Sequence, residues 1–134
     1  MLDPQNALIY TMVMTSAADR DMTDSELQAI GDIVKHLPVF VGYDTSQLSK
    51  AAQDCADLLV DPNGLDKALE LIMAALPEKL HETAYALACD VAAADGRASQ
   101  EELRLLEWLR HALNLNRLTA AAIEVGARAR HAKL

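Results

Sequence analysis

Ala93-Ala94-Asp95-Gly96-Arg97-Ala98-Ser99-Gln100-Glu101-Glu102-Leu103 reads as the end of one helix, a short acidic turn and the start of a second helix. The same register occurs once more near the amino end, as Ala17-Ala18-Asp19-Arg20-Asp21-Met22-Thr23-Asp24-Ser25-Glu26-Leu27, without a gap. The shared pattern is A-A-D-x-x-x-[ST]-x-x-E-L. In each copy a Ser or Thr stands three residues before a Glu, the spacing of a capping box, where hydroxyl and carboxylate each accept from the other residue's backbone N–H. Apolar positions continue in step beyond it, Ile30 with Leu106, Ile33 with Leu109 and Leu37 with Leu113. Each copy therefore predicts a helix, an acidic turn and a capped helix. Two such hairpins can pack about a pseudo-twofold axis with their acidic corners on the outside.

Working outward, Asp3-Pro4 predicts a capped start for a first helix that carries Leu8, Ile9, Met12 and Val13 at helical spacing and runs to about Ala18. The second helix ends at Pro38. Val39-Phe40-Val41-Gly42-Tyr43 is the one strand-like run, too isolated to found a sheet, and reads as a packed linker. Leu48, Ala51, Ala52, Cys55, Leu58 and Leu59 predict a third helix, closed by the turn residues Asp61-Pro62-Asn63-Gly64. A fourth spans about 65 to 76. Pro77 opens a fifth, apolar nearly all round from Thr83 to Ala94, as suits a helix surrounded by others. Gly96 terminates it, Ser99 caps the sixth, and Asn116 caps a seventh that runs to about Arg130. The prediction is an all-α, compact bundle of about seven helices, forming one domain over residues 1–134.

Composition agrees with helices. Of the 134 residues 51% are hydrophobic but only 4% aromatic, so the core must be built from Ala, Leu, Ile, Val and Met. Cys55 and Cys89 lie in apolar helical patterns without a CxxC spacing and read as buried free thiols of a cytoplasmic protein. The longest apolar stretch is interrupted by Asp90 and falls short of the roughly 20 residues of a membrane span. The formal charge of −8 is uneven. Residues 1–66 hold 11 acids against 3 bases, whereas the end of the chain carries Arg110, Arg117, Arg128, Arg130 and Lys133 against Glu124. An acidic body argues against general nucleic-acid binding, which draws on neutralised phosphates, and the basic tail is the weak exception. The terminal cations suit the carboxyl end of a last helix.

Ala93-Ala94-Asp95-Gly96, followed by Ser99 and Glu101-Glu102-Leu103, resembles the signature of the tellurite-resistance TerB family. It is also similar to the amino-terminal domain of a membrane-anchored DnaJ-like co-chaperone. The resemblance implies an all-helical fold, a role in tellurite and general stress resistance, acidic residues that bind metal ions, and no enzymatic activity. Arg20 stands where the second copy has Gly96, and Met14 where it has Asp90, so the first copy departs from the pattern.

The candidate metal ligands are Asp19, Glu26, Asp95 and Glu102, with Asp90 as a further candidate. As structural residues, Glu26 and Glu102 complete capping boxes and Asp19 and Asp95 accept from turn N–H groups. As ligands, their oxygens form the hard cluster that Ca²⁺ or Mg²⁺ prefers, although the EF-hand spacing is absent. Asp90, in a nearly all-apolar helix, must face water, be hydrogen-bonded or carry out a task. His36, His81, His111 and His131 show no paired metal spacing, and no phosphate loop or nucleophile motif is present. The function expected is a non-enzymatic stress-resistance module that binds divalent cations or a partner through its acidic corners. The alternative is an ion-independent scaffold for a protein partner or for self-association.

Overall fold

The computed structural model describes residues 2–18, 22–94, 96 and 98–134. Among these residues seven α-helices follow one another: α1 Pro4–Ser16, α2 Asp24–His36, α3 Leu48–Leu59, α4 Gly64–Ala75, α5 His81–Ala93, α6 Gln100–Ala112 and α7 Arg117–Arg130. No strand occurs among the described residues.

At the starts of α1, α2, α6 and α7 side chains satisfy orphan N–H groups of the first turn. Asp3 accepts from the Asn6 N–H at 2.7 Å, with Pro4 at the first helical position. Both capping boxes form, Thr23 with Glu26 on α2 and Ser99 with Glu102 on α6. Asn116 accepts from the Thr119 N–H at 2.8 Å and opens α7. Two entries are wound more tightly than the periodicity predicts. Thr45–Gln47 and Glu78–Leu80 are 3₁₀ turns that lead into α3 and α5, so Pro77 starts a 3₁₀ turn and the α-helix begins only at His81. The strand-like run is the linker expected of it: Pro38–Phe40 is a 3₁₀ turn, and Phe40 is buried.

The centre of the bundle is the pair α1 and α5, which lie along one another. The all-round burial of α5 follows from its apolar run; for α1 the sequence marks only the face of Leu8, Ile9, Met12 and Val13, and the structure buries far more. Every residue from Ala7 to Ser16 is buried, including Thr11, Thr15 and Ser16. Thr11 donates its hydroxyl to the Ala7 carbonyl and Thr15 to that of Thr11, each at 2.9 Å. Hydroxyls that bond back along their own helix leave no polar group unmatched, so a Thr face can enter the core. Met12 and Met14 are buried there, while Met22 and Met73 pack at its margin.

The coverings of the two central helices differ. On α1 lie α3 and α4, which also pack against each other. Their close approach depends on Gly64, where an added Cβ would stand 2.1 Å from the Leu58 carbonyl oxygen. On α5 lie α6 and α7, joined by residues 113–116, and these two helices hardly touch one another. Their connection is fixed by Leu113, which is buried, and by His81, whose ring nitrogen stands 3.1 Å from the Leu113 carbonyl. Asn114 turns the chain there with a φ of 57°.

Candidate functional site

Two regions carry the features that chemistry or binding would need: the corners before α2 and α6, and the space between α6 and α7.

At the corners, Glu26 and Glu102 are not part of an acidic surface, which corrects the expectation from sequence. They are 1% and 2% exposed. The capping box folds each carboxylate back over its own helix start, and the bundle packed around that start covers it. Glu26 Oε1 accepts from the Thr23 N–H at 3.0 Å, from the Thr23 hydroxyl at 3.2 Å and from the Ser16 hydroxyl at 3.4 Å. Glu102 Oε1 accepts from the Ser99 N–H, and the Glu102 N–H donates to the Ser99 hydroxyl, both at 3.0 Å. Asp19 and Asp95 lie outside the described residues. Among those described, no group of three His, Cys, Asp or Glu side chains could hold a metal ion.

Asp90 resolves differently again. Its carboxylate, largely buried on α5, accepts from the Arg130 guanidinium at 2.5 Å, and His131 Nε2 stands 3.5 Å away. The isolated acid and the terminal cations, read separately in the sequence, thus answer one another across 40 residues. Asp90 and His131 line a cleft of about 320 Å³ with Ser25, Gln28 and Asp32 of α2.

The larger feature went unseen in the sequence. Because α6 and α7 rest on α5 and hardly touch each other, a cleft of about 820 Å³ opens between them. Tyr85, Cys89, Ala92 and Ala93 of α5 form its floor, and Leu103 and Leu106 of α6 face Ala120 and Ala127 of α7. Arg110, Arg117, Arg128 and Lys133 stand around it, against Glu107 and Glu124. Only contact across the helices defines this site, so no local spacing announces it. The one signal available was the excess of bases after Trp108.

The reactive groups of the floor are held protonated. Burial pushes the Cys89 thiol up to about 12. Burial also raises the Tyr85 phenol well above its ordinary value, and so does the hydrogen bond it donates to Glu124 at 2.5 Å. A thiol that stays protonated at neutral pH is a poor nucleophile. Cys55, on the far side of the bundle, is likewise free, buried and raised to about 12 by burial.

A bundle of this kind, with helices packed around two buried ones and a cleft on one side, belongs to the class of small all-helical modules. The family model of the tellurite resistance protein TerB matches residues 5–125, and the chain belongs to that family. No curated protein and no solved structure matches it. The match stops within α7, so Arg128, Arg130, His131 and Lys133 lie beyond it. No helix among the described residues is long and apolar enough to cross a membrane.

Proposed function

We propose that this chain serves tellurite resistance as a non-enzymatic binding module, which holds a protein partner in the cleft between α6 and α7 without a metal ion. The cleft carries the reading: it is open and apolar-floored, and the thiol and phenol within it are held in their unreactive protonated forms. The described acids that could have served a cation support it as well, since Glu26 and Glu102 are turned into their own caps and Asp90 into an ion pair. The test is made in cells whose tellurite resistance depends on this chain. Ala121→Trp, at an exposed position on the cleft, should abolish resistance while the isolated protein keeps its melting temperature. Resistance that survives Ala121→Trp overturns the proposal.

A second reading keeps Ca²⁺ or Mg²⁺ at the corners. It treats the two hairpins, α1 with α2 and α5 with α6, as pseudo-equivalent units of four 13-residue helices. What favours it is the recurrence of the same capping box, Thr23 with Glu26 and Ser99 with Glu102, at matching positions of the two hairpins. Titrating each ion while following backbone amide shifts decides this. Localised changes around Thr23 and Ser99, lost in Glu26→Gln with Glu102→Gln, support the cation; flat shifts dispose of it.

A further inference from the structure

We infer that the occupant of the α6/α7 cleft is an amphipathic helix of another protein, with an apolar stripe of about three turns and acidic residues at both ends of that stripe. This deepens the proposed function and rests on it, since it assumes that the cleft is where a partner sits.

The form of the occupant follows from the walls. The described floor and sides are almost wholly helical, and the backbone N–H and C=O groups of a helix are already bonded within it. An extended segment laid in the cleft would find no sheet edge to pair with and would bury unmatched backbone groups. A helix satisfies its own backbone and needs only an apolar face. Ala92, Ala93, Ala120 and Ala127 keep the floor and one wall low, so that such a face can come close. Leu103, which is 48% exposed at the opposite wall, offers it an apolar contact.

The charge of the occupant follows from the two ends. Arg110 and Arg117 flank the connection between α6 and α7, while Arg128 and Lys133 stand at the other end of α7. At 1.5 Å per residue the span from Arg117 to Arg128 is roughly 16 Å, or three helical turns. Arg117, Arg128 and Lys133 form no ion pair among the described residues. Arg130, by contrast, is turned away to Asp90. Of the two described acids on the cleft, Glu107 and Glu124, the second accepts from Tyr85. Cations at both ends of an apolar floor match acids at both ends of an apolar stripe. A small amphiphile with one anionic head would answer only one end. A second copy of the chain would bring its net charge of −8 against an equal charge.

The probe is a helical peptide of about 16 residues with leucines at i, i+4, i+7 and i+11 and glutamates at both ends, alongside a twin that carries lysines there. Binding to the whole chain is read by fluorescence anisotropy at low and high salt. The acidic peptide should bind at least roughly tenfold tighter than its lysine twin, with the difference narrowing as salt rises. Arg117→Glu with Arg128→Glu and Lys133→Glu should reverse the preference, and Ala121→Trp should remove binding of either peptide. Reversal is a gain of function, which a merely damaged fold cannot give. Equal binding of the two peptides, or no reversal, overturns the inference. So does a sedimentation profile showing a dimer that Ala121→Trp dissociates, which would make a second copy the occupant. If Ala121→Trp abolishes resistance while neither peptide binds, the cleft remains the working site and the helical occupant is wrong.

Discussion

On one side of the central pair, α3 and α4 lie against α1 and against each other; on the other, α6 and α7 lie on α5 and leave a cleft between them. Both sides use the same material, helices of 12 to 14 residues with small and aliphatic side chains. The difference lies in the connections. Between α3 and α4 the chain crosses at Gly64, where the absence of a side chain lets two backbones meet. Between α6 and α7 it turns through residues 113–116, pinned by Leu113 and His81, and the helices part. Closure serves stability, and the gap supplies a surface that can bind.

Substitutions should report this asymmetry. The largest effect belongs to Gly64→Ala, whose Cβ would collide with backbone that cannot yield; a loss on the order of 4 kcal/mol is expected in urea unfolding. A loss under about 1 kcal/mol would show that the closed side is more compliant than described. Next comes Ile72→Ala, a truncation of a fully buried α4 side chain, at about 3 kcal/mol, against under about 1 kcal/mol for Leu103→Ala on the cleft wall. Similar values for the two would erase the distinction between the sides.

Alkaline pH gives the third contrast. Both thiols are raised from 9.0 to about 12 by burial, so the protonated form is the one the fold favours. Their contribution is fully present below pH 9 and is lost as pH rises from there through 12. Each pH unit above 9 should cost up to about 1.4 kcal/mol per thiol in urea midpoints. Cys55→Ala and Cys89→Ala should each remove part of that slope, and Cys89, on the cleft floor, should react first with a thiol reagent. Equal reaction rates would mean that the cleft is shut in solution.

Smaller effects follow on the open side. Gly126→Ala places a Cβ 3.3 Å from the movable Arg130 guanidinium and removes backbone freedom inside α7, so it should stabilise by about 0.7 kcal/mol. Arg130→Ala breaks an ion pair whose guanidinium is half exposed and should cost only about 0.5 kcal/mol, measured in the same way.

The order of helices was legible because caps and breakers act locally: Asp3, Thr23, Ser99 and Asn116 accept the N–H bonds that their spacing predicts. Burial of one face was legible from the periodicity, as at Ile30, Leu106 and Leu109, but burial all round only where a whole helix is apolar, as in α5. In α1 the alternation of Thr with apolar residues conceals a buried helix, because back-bonded hydroxyls cost little inside. The same limit governed the site. Glu26 and Glu102 could be recognised as capping residues, but whether a cap faces water depends on what packs over it. The need for Gly64, the pairing of Asp90 with Arg130 and the cleft all depend on residues distant in sequence, and no short motif encodes them.

The way α7 is held has a dynamic consequence. It rests chiefly on α5, and its outer face carries Leu118 and Val125 in water. A helix fastened along one seam can lift as a cooperative unit while the rest of the bundle stays folded. Amide hydrogens of α7 therefore exchange with solvent through openings cheaper than global unfolding, and those of α1 only when the whole molecule opens. A guest seated beside α7 would add a second seam, and the resulting slowing of exchange would mark out this one segment.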